Sequence, residues 1–461
     1  MFSNIKLARR QQQRIQKHAK NSDSYRFFNL LTSPELLSTM EELLPEHRER
    51  LFPPTETLSM YLAQALNEDR SCQKAVNDAA IKRVMGGLPP VSTGTGGYCR
   101  ARQRLPLPMV SELVRRTGEL IDSQIPDQWR WHGKRVHLID GTSLSMPDTA
   151  ENQAVYPQQG AQKPGIGFPI CRLVGVICLS SGAVLNAAVG RFQGKGSDEQ
   201  TLLRKVVGTF SAGEVVLGDA FYGTYFLLAH LQARGVDAVF EQMGARKRTT
   251  DFRKGRRLGT RDHLVELSKP VIKPDWMTQE QYDQAPDTLS IRELKVGGKV
   301  LITTFLCPKK TPKTELKELY KRRWQIEVDF RNIKSTMGMD TLSCKTPEMT
   351  EKEIWIYFLA YNLIRLLMAQ SALLADLLPR QLSFKHSMQL WLAWSQYGAM
   401  GVWVNEQELF VLMAQKQIGK RPGRIEPRAV KRRPKPFSLL MKPRAEARAE
   451  IQKNGHPRKL K

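Results

Sequence analysis

Long apolar runs are missing from this chain of 461 residues. No uninterrupted stretch reaches the ~18 residues that a membrane-spanning helix needs, and the run from Phe168 to Phe192 is broken by Arg172. The opening residues, MFSNIKLARRQQQRIQKHAK, are basic and Gln-rich and carry no apolar core of the signal-peptide kind. A cytoplasmic protein without a membrane partner is therefore expected. Cysteine is sparse: Cys72, Cys99, Cys171, Cys178, Cys307 and Cys344 are scattered, without CxxC pairs or the spacing of a zinc site. That pattern excludes a disulfide framework and fits reduced thiols. Negative charge is scarce too, with 45 Asp and Glu against 71 Lys and Arg, a formal +26. Such a field draws in polyanions, with nucleic acid the first candidate. The 41% hydrophobic content still supplies a sizeable core, and the length suits about two to four structural units.

Helices are expected from SPELLSTMEELL, where Ser33 can cap and Pro34 fits the first turn, and again over TETLSMYLAQALN and SCQKAVNDAAIKRVM. The stretch GGLPPVSTGTGGYCRARQRLP then closes a helical unit near residue 85. Its glycines at 94, 96 and 97 lack the Lys-Ser/Thr of a phosphate-binding loop and are read as a plain loop. For Arg100, Arg102 and Arg104, phosphate contact competes with simple exposure. After the helix PMVSELVRRTGELI, the pattern alternates: strands KRVHLID, ICRLVGVICLSS and AVLNAAVGRF, helix DEQTLLRKVVGTF, strand EVVLGDA, helix TYFLLAHLQARG and strand VDAVFEQ. This is an α/β order. Residues 243 to about 310 turn charged and irregular, with TLSIRELKV and KVLITTFLC as strands, which predicts a β-rich insertion. The helix EIWIYFLAYNLIRLLMAQSALL reads as buried rather than membranous because of Arg365 and its charged flanks. A helical segment over 383–417 precedes a tail with 15 Lys and Arg against 3 Glu, which is expected to be disordered without nucleic acid.

One stretch, YKRRWQIEVDFRNIK at 320–334, has an ordered polar face. At ~100° per residue, Tyr320, Arg323, Glu327 and Lys334 lie within about 60° of one another on a helix. Leu319, Ile326, Phe330, Ile333 and Met337 form a separate core-facing stripe. A solvated face with i,i+4 pairs is the plain alternative. A carboxylate between two cations and a phenol, however, suits a metal and phosphates. Asp140 ends the apolar strand LID and Asp219 ends VVLGD, both where α/β sheets present ligands. Either could instead be a cap or turn residue. Taken together, Asp140, Asp219 and Glu327 offer hard oxygen ligands for two divalent cations, and Arg323 and Lys334 could hold phosphates. This reading ends at a metal-dependent nuclease or recombinase.

Through these motifs the sequence resembles the DDE transposases of bacterial insertion sequences, in the group whose signature is Tyr-x2-Arg-x3-Glu-x6-Lys. The signature is complete at Tyr320, Arg323, Glu327 and Lys334. IDGTSLSMPDT and VLGDAFYGTY resemble the first and second acidic motifs, and GGYCRARQRLP a segment of the N-terminal region. The resemblance implies an RNase H-like catalytic domain over 131–380 with its β-rich insertion at about 243–310. It further implies a helical DNA-binding region over 1–85, a linker and helix over 86–130, and a C-terminal helical segment and basic tail over 381–461. By the same resemblance, Asp140, Asp219 and Glu327 bind two Mg²⁺ or Mn²⁺, and Tyr320, Arg323, Trp324 and Lys334 contact DNA. Cut-and-paste transposition by a homodimer on the double-stranded inverted repeats of the transposon, through a hairpin and into target DNA, is implied as well, in a bacterial, nucleoid-associated setting. Trp324 matches a signature-helix tryptophan of some members; a second, base-holding tryptophan has no clear match, Trp276 being the only one in the insertion. Two rivals stand beside this reading: a host RNase H-like nuclease or domesticated recombinase, and a catalytically inactive DNA-binding relative.

The tail gives a first prediction. Deleting residues 421–461 should flatten the salt dependence of DNA binding, because each lost phosphate contact removes about 0.9 from the log–log slope. Titrations over a salt series read the slope, and an unchanged value would show that the tail does not touch DNA.

Overall fold

The computed structural model describes residues 38, 42–44, 51–244, 249–399, 406–418 and 441–455. Ser33, Pro34 and most of the tail lie outside the described residues. After short helical pieces at residues 38 and 42–43, the described residues form α1 (Pro54–Leu66), α2 (Cys72–Met85), α3 (Gly96–Arg104) and α4 (Leu107–Ser123). Ser71 caps α2 by accepting from the Lys74 amide. The expected loop holds at Gly94, but Gly96 and Gly97 instead form the first turn of α3. Arg102 on α3 is neither exposed nor free for phosphate: it is buried, with its guanidinium 3.0 Å from the Cys72 sulfur and stacked over Tyr61 and Tyr98. Arg100 and Arg104 are exposed.

The middle of the chain builds β1 (Val136–Ser145), α5 (Ala150–Val155), β2 (Ile170–Cys178), β3 (Val184–Arg191), α6 (Glu199–Val206), β4 (Val215–Gly218), α7 (Tyr225–Ala233) and β5 (Asp237–Glu241). The insertion supplies β6 (Arg256–Gly259), β7 (Asp262–Ser268), α8 (Gln279–Gln284), β8 (Thr288–Val296) and β9 (Lys299–Thr303). The nine strands among the described residues form one sheet in the order β3-β2-β1-β4-β5-β9-β8-β7-β6. The β1-β2-β3 part is an antiparallel meander, β4 and β5 run parallel to β1, and β9 joins β5 antiparallel. The insertion is thus β-rich as expected, and it also extends the central sheet. It is pinned by a buried pair in which Arg292 donates to both oxygens of Asp262 at 2.8 and 2.6 Å and to the Thr311 carbonyl at 2.7 Å.

One expectation is corrected here. Asp140 does not end β1: the strand runs five residues further, because GTSLS continues to pair with β2 as far as Ser145 opposite Ile170. What ends near Asp140 is the parallel pairing with β4, whose last matched pair is Leu138 and Leu217.

The C-terminal part contains α9 (Lys313–Lys321), a 3₁₀ turn (Arg322–Trp324), α10 (Gln325–Arg331), a π turn (Asn332–Thr336), α11 (Pro347–Ala375), α12 (Phe384–Ala399), α13 (Glu406–Gln415) and α14 (Arg444–Asn454). By length and hydropathy α11 could cross a membrane, but 89% of its most apolar window is buried in the protein. It is a core helix. Leu58, Tyr61, Ala65 and Leu66 of α1 belong to the same hydrophobic core as α11 and the sheet. Lys352 on α11 is buried and donates to the Arg102 and Gln103 carbonyls at 3.2 and 3.0 Å, satisfying the last turn of α3. The tail is not irregular throughout: RAEARAEIQKN favours helix and forms α14, tied down by Arg444 to Asp148 at 2.9 Å.

Two contacts seat α10. Phe330 lies against Gly175, the β2 residue paired with Asp140, where a Cβ would stand only 3.1 Å from the ring. Asp329, fully buried, accepts from Arg365 at 2.5 Å, Tyr361 at 3.0 Å and Arg380 at 3.0 and 2.9 Å. Arg380 also donates to the Cys178 carbonyl at 2.9 Å, so the network joins α10 and α11 to the end of β2. Asp329→Ala would leave two buried guanidiniums without their carboxylate, and should cost about 3–5 kcal/mol, read from the denaturant midpoint. A loss under about 1 kcal/mol would show that the network contributes no more than a surface pair.

Candidate active site

Register brings the two aspartates together. Leu138 on β1 and Leu217 on β4 are matched neighbours, so Asp140 and Asp219, each two residues further on, reach the same level of adjacent strands. Beyond Gly218 the chain leaves the sheet, and Asp219 caps a 3₁₀ turn by accepting from the Phe221 amide at 2.8 Å. Asp140 accepts from the Gly141 amide at 2.8 Å.

The 320–334 segment is broken where a single helix was expected. The 3₁₀ turn at Arg322–Trp324 tightens it and the π turn at Asn332–Thr336 loosens it, with Met337 N–H reaching back to the Asn332 carbonyl at 3.0 Å. The four signature residues consequently do different things. Tyr320 is buried, with the Lys299 ammonium 5.6 Å from its ring centre. Arg323 lies between carboxylates, 2.7 Å from Glu327 and 3.6 Å from Asp140. Lys334 is drawn to β1, donating to the Thr142 hydroxyl at 3.1 Å and the Ser143 carbonyl at 2.8 Å. Trp324 is 60% exposed beside Arg323. The structure therefore brings Asp140, Asp219, Arg323 and Glu327 to one place, with Lys334 two and three residues along β1 from Asp140.

Electrostatics mark Asp140. Burial pushes its carboxyl up to about 7, with Asp219 and Glu199 adding to the rise and the Gly141 amide and Arg323 opposing it. Burial disfavours the charge of Arg323, but the Glu327 hydrogen bond, Tyr320 and Asp140 outweigh it and leave the guanidinium more basic than usual. Burial likewise raises the Tyr320 phenol. A half-buried carboxylate cluster short of positive charge, made only of hard oxygens, suits Mg²⁺ or Mn²⁺ chemically. Among the described residues, no three Asp, Glu, His or Cys side chains already form a closed cage for a metal. At Glu327 the guanidinium of Arg323 stands where a cation's charge would be needed.

Sequence reading missed Glu199, Gln200 and Asp329. Glu199 opens α6, and its carboxylate packs against Gly141 and accepts from the Tyr222 hydroxyl at 3.2 Å. Burial raises its carboxyl, with the Tyr222 hydroxyl and Arg172 opposing and Asp219 adding. The available signal was Asp198, a helix cap, followed at once by an acid and an amide at a helix start. Trp276 lies under the Arg204 guanidinium at 3.8 Å and edge-on to Phe226, lining with Gln200 a cavity of about 480 Å³ that neither Asp140, Asp219 nor Glu327 lines.

Comparison with known proteins shows the family of the chain. The model of the transposase DDE domain matches residues 131–363. The chain is 30% identical over 417 residues to the transposase InsG for insertion sequence element IS4 of Escherichia coli K12, covering 87% of this chain and 90% of that protein. It is 35% identical over 71 residues to the transposase for insertion sequence element IS421 of Escherichia coli, over 15% of this chain and 19% of that one. A cryo-EM structure of the piggyBac transposase synaptic complex with hairpin DNA aligns at a TM-score of 0.42 and 13% identity over 87% of each chain, too low to bear on the fold. The matched domain and the relative it shares most of its length with define a metal-dependent enzyme that cleaves DNA and transfers strands. Within that class, the chain belongs to the DDE transposases of the IS4 group.

The raised Asp140 carboxyl predicts a pH effect in chelator. Its folded value lies above the unfolded one, so the folded state holds the extra proton and wild-type stability falls as pH rises from about 4 through about 7. Asp140→Asn, neutral throughout, should match the wild type near pH 4 and exceed it above pH 7 by on the order of 2–4 kcal/mol. Denaturation in EDTA at both pH values measures the gap; a gap that stays constant would mean that folding does not raise the Asp140 carboxyl.

Proposed function

We propose that the sheet from β3 to β5, with its 3-2-1-4-5 order and antiparallel β2, is an RNase H-like catalytic domain, and that Asp140, Asp219 and Glu327 are its metal ligands. The observation that carries this reading is the register of β1 and β4, which sets the two aspartates side by side, together with the single guanidinium of Arg323 spanning Asp140 and Glu327. Two Mg²⁺ or Mn²⁺ ions would supply activation of the attacking oxygen and stabilisation of the leaving one. The chain's own residues do the positioning. Arg323, within reach of Asp140 and Glu327, would present a fork of donors to a phosphate of the strand being cut. Lys334, held by Thr142 and Ser143, stands along β1 where the next phosphate would pass. Exposed Trp324 offers a flat apolar surface to a base or sugar beside them, whereas Tyr320, expected to contact DNA, is buried next to the turn that carries Arg323.

On this reading the protein acts as a homodimer on the inverted repeats of its element in the bacterial nucleoid, cutting and pasting it into target DNA. The helical region before residue 85 reads the ends, and the basic tail adds affinity without sequence preference.

The test separates metal from phosphate. Purified protein should nick DNA bearing its element's ends only with Mg²⁺ or Mn²⁺. Glu327→Gln keeps size but removes the charge a cation needs, so end binding should survive while single-turnover nicking falls by orders of magnitude. Lys334→Met should weaken engagement of the strand by about 1–3 kcal/mol, partly recovered at low salt or high DNA concentration. If Glu327→Gln nicks normally, the segment is only a DNA-contact surface.

A further inference from the structure

We propose that Glu199 and Gln200, in the first turn of α6, are positioning residues that hold Asp219 in its cation-binding geometry, an inference resting on the reading of Asp219 as a ligand. Asp219 begins a short segment that leaves the sheet, and its own carboxylate is spent on capping that segment at Phe221. The orientation of Asp219 is therefore only as fixed as residues 220–224. Three side-chain hydrogen bonds from α6 hold these residues: the Gln200 amide donates to the Phe221 carbonyl at 2.6 Å, the Gln200 carbonyl accepts from the Thr224 hydroxyl at 3.1 Å, and Glu199 accepts from the Tyr222 hydroxyl at 3.2 Å.

The clamp is itself anchored. Asp198 accepts from the Thr201 amide at 2.9 Å and caps α6. Arg172 on β2 donates to the Ser197 carbonyl at 2.9 Å. Leu202, one turn along, fills the space over Gly190 on β3, where a Cβ would come within 2.7 Å. The Glu199 carboxylate occupies the space that a Cβ on Gly141 would need, 2.1 Å from its carboxyl carbon. Thus α6 is fixed to the β1-β2-β3 half of the sheet and carries that registration across to the segment after β4. Register sets Asp140 and Asp219 on adjacent strands, and the clamp sets how the Asp219 side chain, on the segment that leaves the sheet, is turned toward Asp140. Residues that orient a metal ligand in this way typically change affinity 10–100-fold when lost.

The test uses the full chain and Mn²⁺ alone, with free ion followed by its EPR signal. The half-maximal Mn²⁺ concentration for nicking, on DNA bearing the element's ends, is measured beside it. Gln200→Ala and Glu199→Ala should each raise both concentrations by about 10-fold or more, with DNA binding unchanged. Tyr222→Phe should match Glu199→Ala, and combining the two should add nothing. Glu199→Gln keeps an acceptor for the Tyr222 hydroxyl and should bind Mn²⁺ like the wild type. A purely structural turn would lower the melting temperature of Gln200→Ala and leave Mn²⁺ affinity alone, which overturns the proposal. Loss of binding in Glu199→Gln equal to that in Glu199→Ala would overturn it too, since the charge itself would then be what acts. Asp219→Asn distinguishes the underlying reading: if it binds Mn²⁺ as the wild type does, Asp219 is not a ligand and both ideas fall. If it loses binding while Gln200→Ala and Glu199→Ala do not, only the clamp falls.

Discussion

A carboxylate with no access to water, Asp329, is shared by two arginines and a tyrosine, and the geometry of the site depends on it. Such a charge is tolerable only when every lone pair is satisfied, which leaves α10 a single seating on α11 and on the end of β2. The residue lies two positions after Glu327, so with Asp329 locked inward, Glu327 projects toward the mouth of the sheet. Phe330 repeats the constraint in apolar form, lying so close to Gly175 that no side chain fits between helix and strand. The third acidic residue is thus placed by a buried ion network, whereas the first two are placed by backbone register.

The site is acidic within a strongly basic protein, and the two facts have separate origins. Asp140, Asp219, Glu199 and Glu327 gather where the parallel pairing ends, and burial there disfavours the charge of Asp140 and Glu199. Arg323 compensates part of it, bridging Asp140 and Glu327. The excess positive charge lies elsewhere, heavily in the tail. A field that attracts a polyanion and a pocket that favours a divalent cation can coexist because the pocket is local and partly desolvated, while the field is summed over the surface.

The insertion is structurally more than an appendage. Because β9 pairs with β5, the sheet grows from five strands to nine without a break, and the strand next to the site gains a neighbour that stiffens it. Lys299 on β9 makes this concrete, donating to Glu241 at 2.6 Å while lying over the Tyr320 ring. A signature residue therefore touches the insertion.

Chemistry tied to spacing was legible in the sequence. The alternation of β1 to β5, the acids after LI and VVLG, and the offsets of Tyr320, Arg323, Glu327 and Lys334 all depend on local periodicity, and a chain displays periodicity directly. The burial of α11 was legible for the same reason, since a helix apolar all round must be enclosed. Pairing across distance was not legible. That β1 continues past Asp140, that GGYCRARQR makes a helix with Arg102 inside it, and that 320–334 breaks twice are consequences of partners on β2, α1 and β1 that no local pattern names. Glu199, Gln200 and Asp329 were invisible as site residues because each acts on a group close in space and distant in sequence. The sequence determined which residues have the chemistry to bind cations and phosphate; only the tertiary structure decided which of them meet, because register and buried ion pairs are properties of two segments together.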